Sequence, residues 1–291
     1  MCSSSKFLWS KSRKLFIRKK AINNGFFIII FSITCYNVEE RNDGDYVKFE
    51  LLSNLTIENL LIAIIPSILI LLYVYKMDII EKEPIPMLFT LLFLGAVITI
   101  PAQFVEQLLI SLPFINYGGY LNSFIMSFLV IALVEEGYKF LMVFLGTWKN
   151  KNFNHKYDGI VYAVFVSIGF ATVENILYIL ENNDFELGLK RAVTAVPAHA
   201  FYAVACGYLL GKAKLSQKFS SKKKMWLYIL LSFLIPFVLH GLYDFILLTE
   251  NDILLIPFLT FLAILYVVSY YYIDKTSKTK MISDIKEEGD N

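Results

Sequence analysis

Hydrophobic residues run along this chain in blocks of about 20, the length a helix needs to cross the hydrocarbon core of a bilayer, and short polar stretches separate the blocks. Seven such blocks lie at residues 57–75, 87–111, 122–147, 158–181, 192–211, 225–248 and 252–273. An eighth apolar run, 25–36, is short for a span and follows a basic arm holding Lys6, Lys11, Arg13, Lys14, Arg18, Lys19 and Lys20. It reads as a signal peptide or a short first helix, and the lack of a small-x-small cleavage site after it favours a retained helix. The pattern predicts an all-α fold: a polytopic transmembrane helix bundle of seven spans with a possible short N-terminal eighth. Residues 1–50 form the arm with its apolar segment, 51–274 the membrane unit and 275–291 a polar tail.

Lys and Arg counts orient the bundle, because cytoplasmic loops are enriched in basic residues. The loops at 76–86, 148–157 and 212–224, together with the tail after 274, carry fifteen basic residues, whereas those at 38–56, 112–121, 182–191 and 249–251 carry four. The Lys212–Lys224 loop and the C-terminus are therefore expected in the cytoplasm, with the acidic 38–56 segment outside; a sequon, Asn54-Leu-Thr56, falls on that outer side. Composition agrees. The 291 residues are 57% hydrophobic and only 18% charged, against about 25% charged for a soluble domain. A net charge of +2 gives no electrostatic case for a nucleic-acid partner. Cys2, Cys35 and Cys206 have neither disulfide-framework nor zinc-knuckle spacing.

Against that apolar background a few ionisable residues stand inside spans: Glu106, Glu135, Glu136, Lys139, Glu174, His199, His240 and Asp244. Each costs at least ~2.5 kcal/mol to insert at mid-membrane, so they are expected to face one another. In the third span Lys139 lies four residues after Glu135 and three after Glu136, within reach of either carboxylate, while the adjacent glutamates diverge by about 100°. The fourth span places Asn175 beside Glu174. The fifth begins with Arg191 and carries His199 two residues after Pro197, which loosens the helix there. In the sixth, His240 and Asp244 stand at i and i+4, a spacing that lets the carboxylate fix the imidazole tautomer. At ~1.5 Å of rise per residue, antiparallel helices bring these groups into one layer in the middle and outer half of the membrane. Acid, base and imidazole converging in a water-accessible cavity suit the activation of water against a carbonyl. The same groups also fit a non-catalytic buried network or an ion or proton pathway, although the spans show no repeat in two halves.

Three intramembrane protease signatures are absent: HExxH, GxSG, and a GxGD partner for Tyr157-Asp158. The remaining motifs, Glu135-Glu136-x-x-Lys139, Phe170-x-x-x-Glu174-Asn175, Arg191 to His199-Ala200 and His240-x-x-x-Asp244, resemble in type and order those of the PrsW family of intramembrane proteases. The Asp78-Ile-Ile-Glu-Lys-Glu-Pro-Ile-Pro86 stretch looks like that family's acidic, proline-containing loop, and the resemblance covers roughly residues 60–250. It implies a glutamate-dependent endopeptidase of the bacterial cell membrane, distantly related to the CAAX prenyl endopeptidases and Abi-type membrane proteins, with 51–274 as its protease domain. The implied partners are a single-span or membrane-anchored protein substrate, of the anti-sigma-factor type in the family's prototype, and the surrounding lipid. The resemblance makes Glu135, Glu136, His199 and His240 catalytic, with Lys139, Glu174, Asn175, Asp244 and Arg191 supporting. Where the CAAX relatives place a histidine this chain has Glu174, so no prenylated substrate is inferred. Imidazoles and carboxylates together can hold zinc, but without an i, i+4 histidine pair the expectation is a site with neither metal nor cofactor.

Overall fold

In a computed structural model of the chain, residues 56–112, 118–182, 184–219 and 221–279 are described. The basic arm, the 25–36 run, Asn54 of the sequon and the tail beyond 279 lie outside them. Among the described residues the regular secondary structure is all helical, joined by short loops. In chain order the helices are α1 (Ile57–Met77), α2 (Ile85–Ile110), α3 (Gly119–Phe124), a π-helical stretch (Ile125–Ala132), α4 (Leu133–Thr147), α5 (Lys156–Asn182), α6 (Phe185–Val193), α7 (Ala195–Phe219), α8 (Lys222–Leu248), a 3-10 turn (Asp252–Leu254) and α9 (Leu255–Ser277). Local chemistry fixes their ends. Thr56, Asp184 and Ser221 cap α1, α6 and α8 by accepting hydrogen bonds from backbone N–H groups of the first turn. Pro84 precedes α2, where a missing N–H costs nothing.

Among the described residues six helical segments are long and apolar enough to cross a membrane: α1, α2, α5, α6 with α7, α8, and the 3-10 turn with α9. The predicted third span differs. Residues 119–147 follow a continuous helical path, but Ile125–Ala132 widens into a π-helix and Glu135, Glu136 and Lys139 follow at once. A π stretch re-phases the side chains beyond it and is found mostly at functional sites. The fifth predicted span also differs. Its break falls at Thr194, between α6 and α7, and Pro197 sits in the first turn of α7, where it is tolerated. The last helix runs to Ser277, slightly past the expected boundary at 274.

Helices α5 and α7 form the buried centre, and α1, α2, α8 and α9 surround them with their apolar residues outward. Phe93, Ile256 and Val267 are two-thirds exposed or more, a surface that suits lipid rather than water. The centre closes through glycine. Gly159 and Gly207 bring α5 and α7 together backbone to backbone, as Gly95 and Gly169 do for α2 and α5. A Cβ on Gly207 would fall on the carbonyl oxygen of Gly159 and the Cα of Ile160, neither of which can yield as a side chain can. Gly207→Val is therefore expected to cost more than about 3 kcal/mol, beyond ordinary overpacking. Membrane abundance and thermal unfolding in detergent check this.

Candidate active site

The α5–α7 contact and the π stretch turn the ionisable groups of four helices toward one point. Glu135, Glu136 and Lys139 come from α4, Glu174 and Asn175 from α5, His199 from α7, and His240 and Asp244 from α8, while Arg191 reaches in from α6. All nine are buried. Sequence reasoning expected these groups to meet, and they do. Glu106 is half-buried on α2.

Lys139 is the hub. Its ammonium lies 3.0 Å from Glu135 Oε2, 2.9 Å from Glu136 Oε1 and 3.0 Å from His199 Nδ1, which uses all three of its N–H donors. It also stands 4.2 Å from the centre of the Phe170 ring, a cation–π contact. The expectation that Lys139 reaches either glutamate is exceeded, because it bridges both. Since Lys139 can only donate, Nδ1 is the acceptor of the His199 ring, and Nε2–H donates to Glu174 Oε2 at 2.9 Å. Glu174 is held from its other side by Arg191, whose Nη2 is 2.9 Å from Oε1, while Arg191 Nε donates to Asn175 Oδ1 at 3.1 Å. The Arg191 guanidinium lies 3.8 Å from the centre of the Tyr178 ring. A chain of contacts thus runs from Arg191 through Glu174 and His199 to Lys139.

His240 closes the other flank. Its Nδ1 is 2.8 Å from Glu136 Oε1, so this one oxygen serves both Lys139 and His240, and its Nε2 is 3.9 Å from Glu135 Oε2. Asp244 was expected to fix the His240 tautomer. Its Oδ2 lies 3.6 Å from Nε2, beyond hydrogen-bond distance, and has no hydrogen-bond partner among the described residues. Glu136 holds the ring instead. The two imidazoles are 5.1 Å apart between ring centres and nearly perpendicular. Tyr202, absent from the sequence-based set, stacks on His240 at 5.1 Å between ring centres, and its buried hydroxyl has no hydrogen-bond partner among the described residues. Its position three residues after His199 on one helix face was the available signal. Ser167, also unforeseen, donates to the backbone carbonyl of His199 at 3.0 Å. A narrow cleft touches Glu136 and Lys139 and continues between Phe140, Cys206, Ser232 and Phe233 toward the Lys222 end of α8; its interior admits about one water molecule. Glu135 is not among its walls.

Comparison with known proteins follows the same residues. The profile of the PrsW family, described as intramembrane metalloproteases, matches residues 83–273. The chain belongs to the PrsW family. Among curated proteins, one named Protease PrsW from Oceanobacillus iheyensis is 36% identical over 223 residues, covering 76% of this chain and 97% of that protein. Others of the same name, from Clostridioides difficile and Bacillus subtilis, are 35% and 38% identical, covering 75% and 69% of this chain and 90% and 88% of their own lengths. No solved structure matches. Membership decides among the readings the residues left open: the chain is a multi-pass membrane protease of the PrsW family, rather than a scaffold or an ion pathway, and membrane proteins are its substrate class.

The family description raises the question of a metal, and the donor set fits one. Glu135, Glu136, His199 and His240 each offer a ligand atom within 4.8 Å of the others, the mixture of imidazole and carboxylate that catalytic zinc sites use. Among the described residues, four buried carboxyl groups, those of Glu135, Glu136, Glu174 and Asp244, also face only one ammonium and one guanidinium. Bound to these four residues, a divalent cation would supply Lewis acidity and a more acidic water. The Lys139 ammonium touches three of the four.

Proposed function

We propose that Glu136 is the general base of this PrsW-family protease, taking a proton from water so that the oxygen adds to the carbonyl carbon of a peptide bond in a membrane-anchored substrate. The observation that carries the reading is that Glu136 alone among the carboxylates both lines the cleft and shares one oxygen between Lys139 and His240. His240, whose Nε2 lies no closer than 3.6 Å to an acidic oxygen, polarises the carbonyl or positions the water, and His199, with both ring nitrogens engaged, orients the Lys139 ammonium; collapse of the adduct returns the proton to the departing amine. Glu135 shares the Lys139 charge. Arg191, Glu174 and Asn175 hold His199 in its tautomer, and Asp244 lies beside His240. We further propose a single-span substrate of the anti-sigma-factor type and a cytoplasmic C-terminus, the latter supported by the excess of basic residues in the 212–224 loop and the tail.

The test is purified protein in detergent with a panel of single-span membrane proteins, wild type beside Glu136→Gln and His199→Ala. Cleavage by wild type alone supports the assignment, and equal cleavage by all three removes it. A chelator arm decides which cation completes the site. Unchanged activity leaves Lys139 as the charge partner of both glutamates, the metal-free expectation from the sequence; activity lost to chelator and restored by Zn²⁺ assigns Glu135, Glu136, His199 and His240 as metal ligands.

A further inference from the structure

The loop between α1 and α2 and the loop before α5 bring a second set of ionisable side chains out of contact with water at the opposite end of α5 from Glu174. Asp78, Glu83, His155 and Asp158 are each 3% exposed or less. Part of the set is built from the inside. Asp158 Oδ2 accepts the backbone N–H groups of Asn154 and His155 at 2.9 and 2.6 Å, Glu83 Oε2 accepts the Tyr162 hydroxyl at 2.7 Å, and Asp78 Oδ2 accepts the Glu83 N–H at 3.2 Å. His155 Nε2 is 2.6 Å from the carbonyl oxygen of Thr279, just beyond the end of α9. Two atoms are left over. Asp78 Oδ1 and His155 Nδ1 have no hydrogen-bond partner among the described residues, although Asp78 is fully buried and His155 is 1% exposed. The nearest acidic oxygen to His155 Nδ1 is Asp158 Oδ1, at 3.8 Å. Lys82 does not fill the gap, because its ammonium lies on the carbonyl oxygens of Tyr75 and Lys76 at the end of α1. Burial pushes the Asp78 carboxyl up to about 6 and that of Glu83 up to about 7; for Asp78 the N–H of Glu83 and the Lys82 charge offset only part of the rise.

We propose that Asp78, His155 and Asp158 form a binding site for a divalent cation of the zinc class, separate from the candidate active site, that ties the α1–α2 loop to the start of α5. The three residues each offer a ligand atom within 4.8 Å of the other two. One imidazole and two carboxylates are ligands zinc accepts, with water completing the coordination. The ring nitrogen that would ligate is the one left unpaired, while the other is oriented by a backbone carbonyl, the arrangement that ligating histidines use to fix their tautomer. Through His155 and Thr279 the cation would also anchor the end of α9.

The experiment uses the full chain in detergent, loaded with Zn²⁺ and dialysed, with bound zinc measured by elemental analysis and Zn²⁺-induced stabilisation by thermal unfolding. His155→Gln and Asp78→Asn remove a ligand with little change in shape, His155→Cys keeps a zinc ligand, and His240→Ala acts only on the active-site cluster. The expected result is that His155→Gln and Asp78→Asn each lose one zinc and the thermal shift that accompanies it, whereas His155→Cys retains both, and that on the His240→Ala background, which removes any zinc held by the active-site cluster, His155→Gln still loses one. Equal zinc content and equal thermal shift in wild type, His155→Gln and Asp78→Asn overturn the proposal, as does a wild type that binds no zinc. The readout needs no substrate, so failure of the proteolytic reading would leave it untouched.

Discussion

Glu136→Gln is expected to lower the rate of cleavage by about 10²–10⁴-fold, the usual contribution of a positioned general base, with membrane abundance and unfolding temperature close to wild type. The amide has the shape of the carboxylate, and its oxygen still accepts from Lys139 and faces His240, so the packing around α4 loses little. What it loses is basicity at the one carboxylate bordering the cleft. The fall should appear in kcat with KM little changed, because the group acts on water rather than on the bound chain. Glu135→Gln is the internal comparison. Its side chain is tied to Lys139 at 3.0 Å and is absent from the cleft walls, so the expected loss is smaller. If Glu135→Gln instead abolishes cleavage while Glu136→Gln retains it, the two assignments exchange.

The membrane signal in the sequence was strong enough to find most of this site, for a reason particular to a bilayer. A charge on a soluble helix is unremarkable, whereas Glu135, Glu136, Lys139 and Glu174 inside apolar runs each imply a partner. Contacts within one helix were also legible, since Glu135 and Glu136 to Lys139 follow from i+4 and i+3 spacing. Contacts between helices were not. That His240 Nδ1 bonds Glu136 rather than being oriented by Asp244 depends on how α8 is rotated against α4, and that rotation depends on the π stretch. The eight residues of that stretch, Ile125–Ala132, include no glycine or proline to mark it. The Asp78 cluster escaped notice for the opposite reason: Asp78 and His155 lie in polar loops and Asp158 in the first turn of α5, where charge is ordinary, and nothing in the spacing of residues 78 and 155 says that they meet out of water.

Lys139→Met is expected to cost about 3–5 kcal/mol of stability, the range for removing one partner of a buried ion pair and leaving the other charged. Methionine nearly matches the length of the lysine stem, so volume is not the cause. The lost ammonium neutralises Glu135 and Glu136 together, donates to His199 Nδ1 and sits over the Phe170 ring, and no other ammonium or guanidinium is within ion-pair distance of either glutamate among the described residues. Thermal unfolding of the purified variants in detergent gives the measurement, and a second substitution tests its origin. Glu135→Gln on the Lys139→Met background removes one of the two stranded charges, so the double variant should recover part of the lost stability, a coupling expected for residues in one network. A double variant as unstable as the sum of the two single ones would place the cost in packing, and the balance of charge around Lys139 would then not be what holds α4 to α7 and α8.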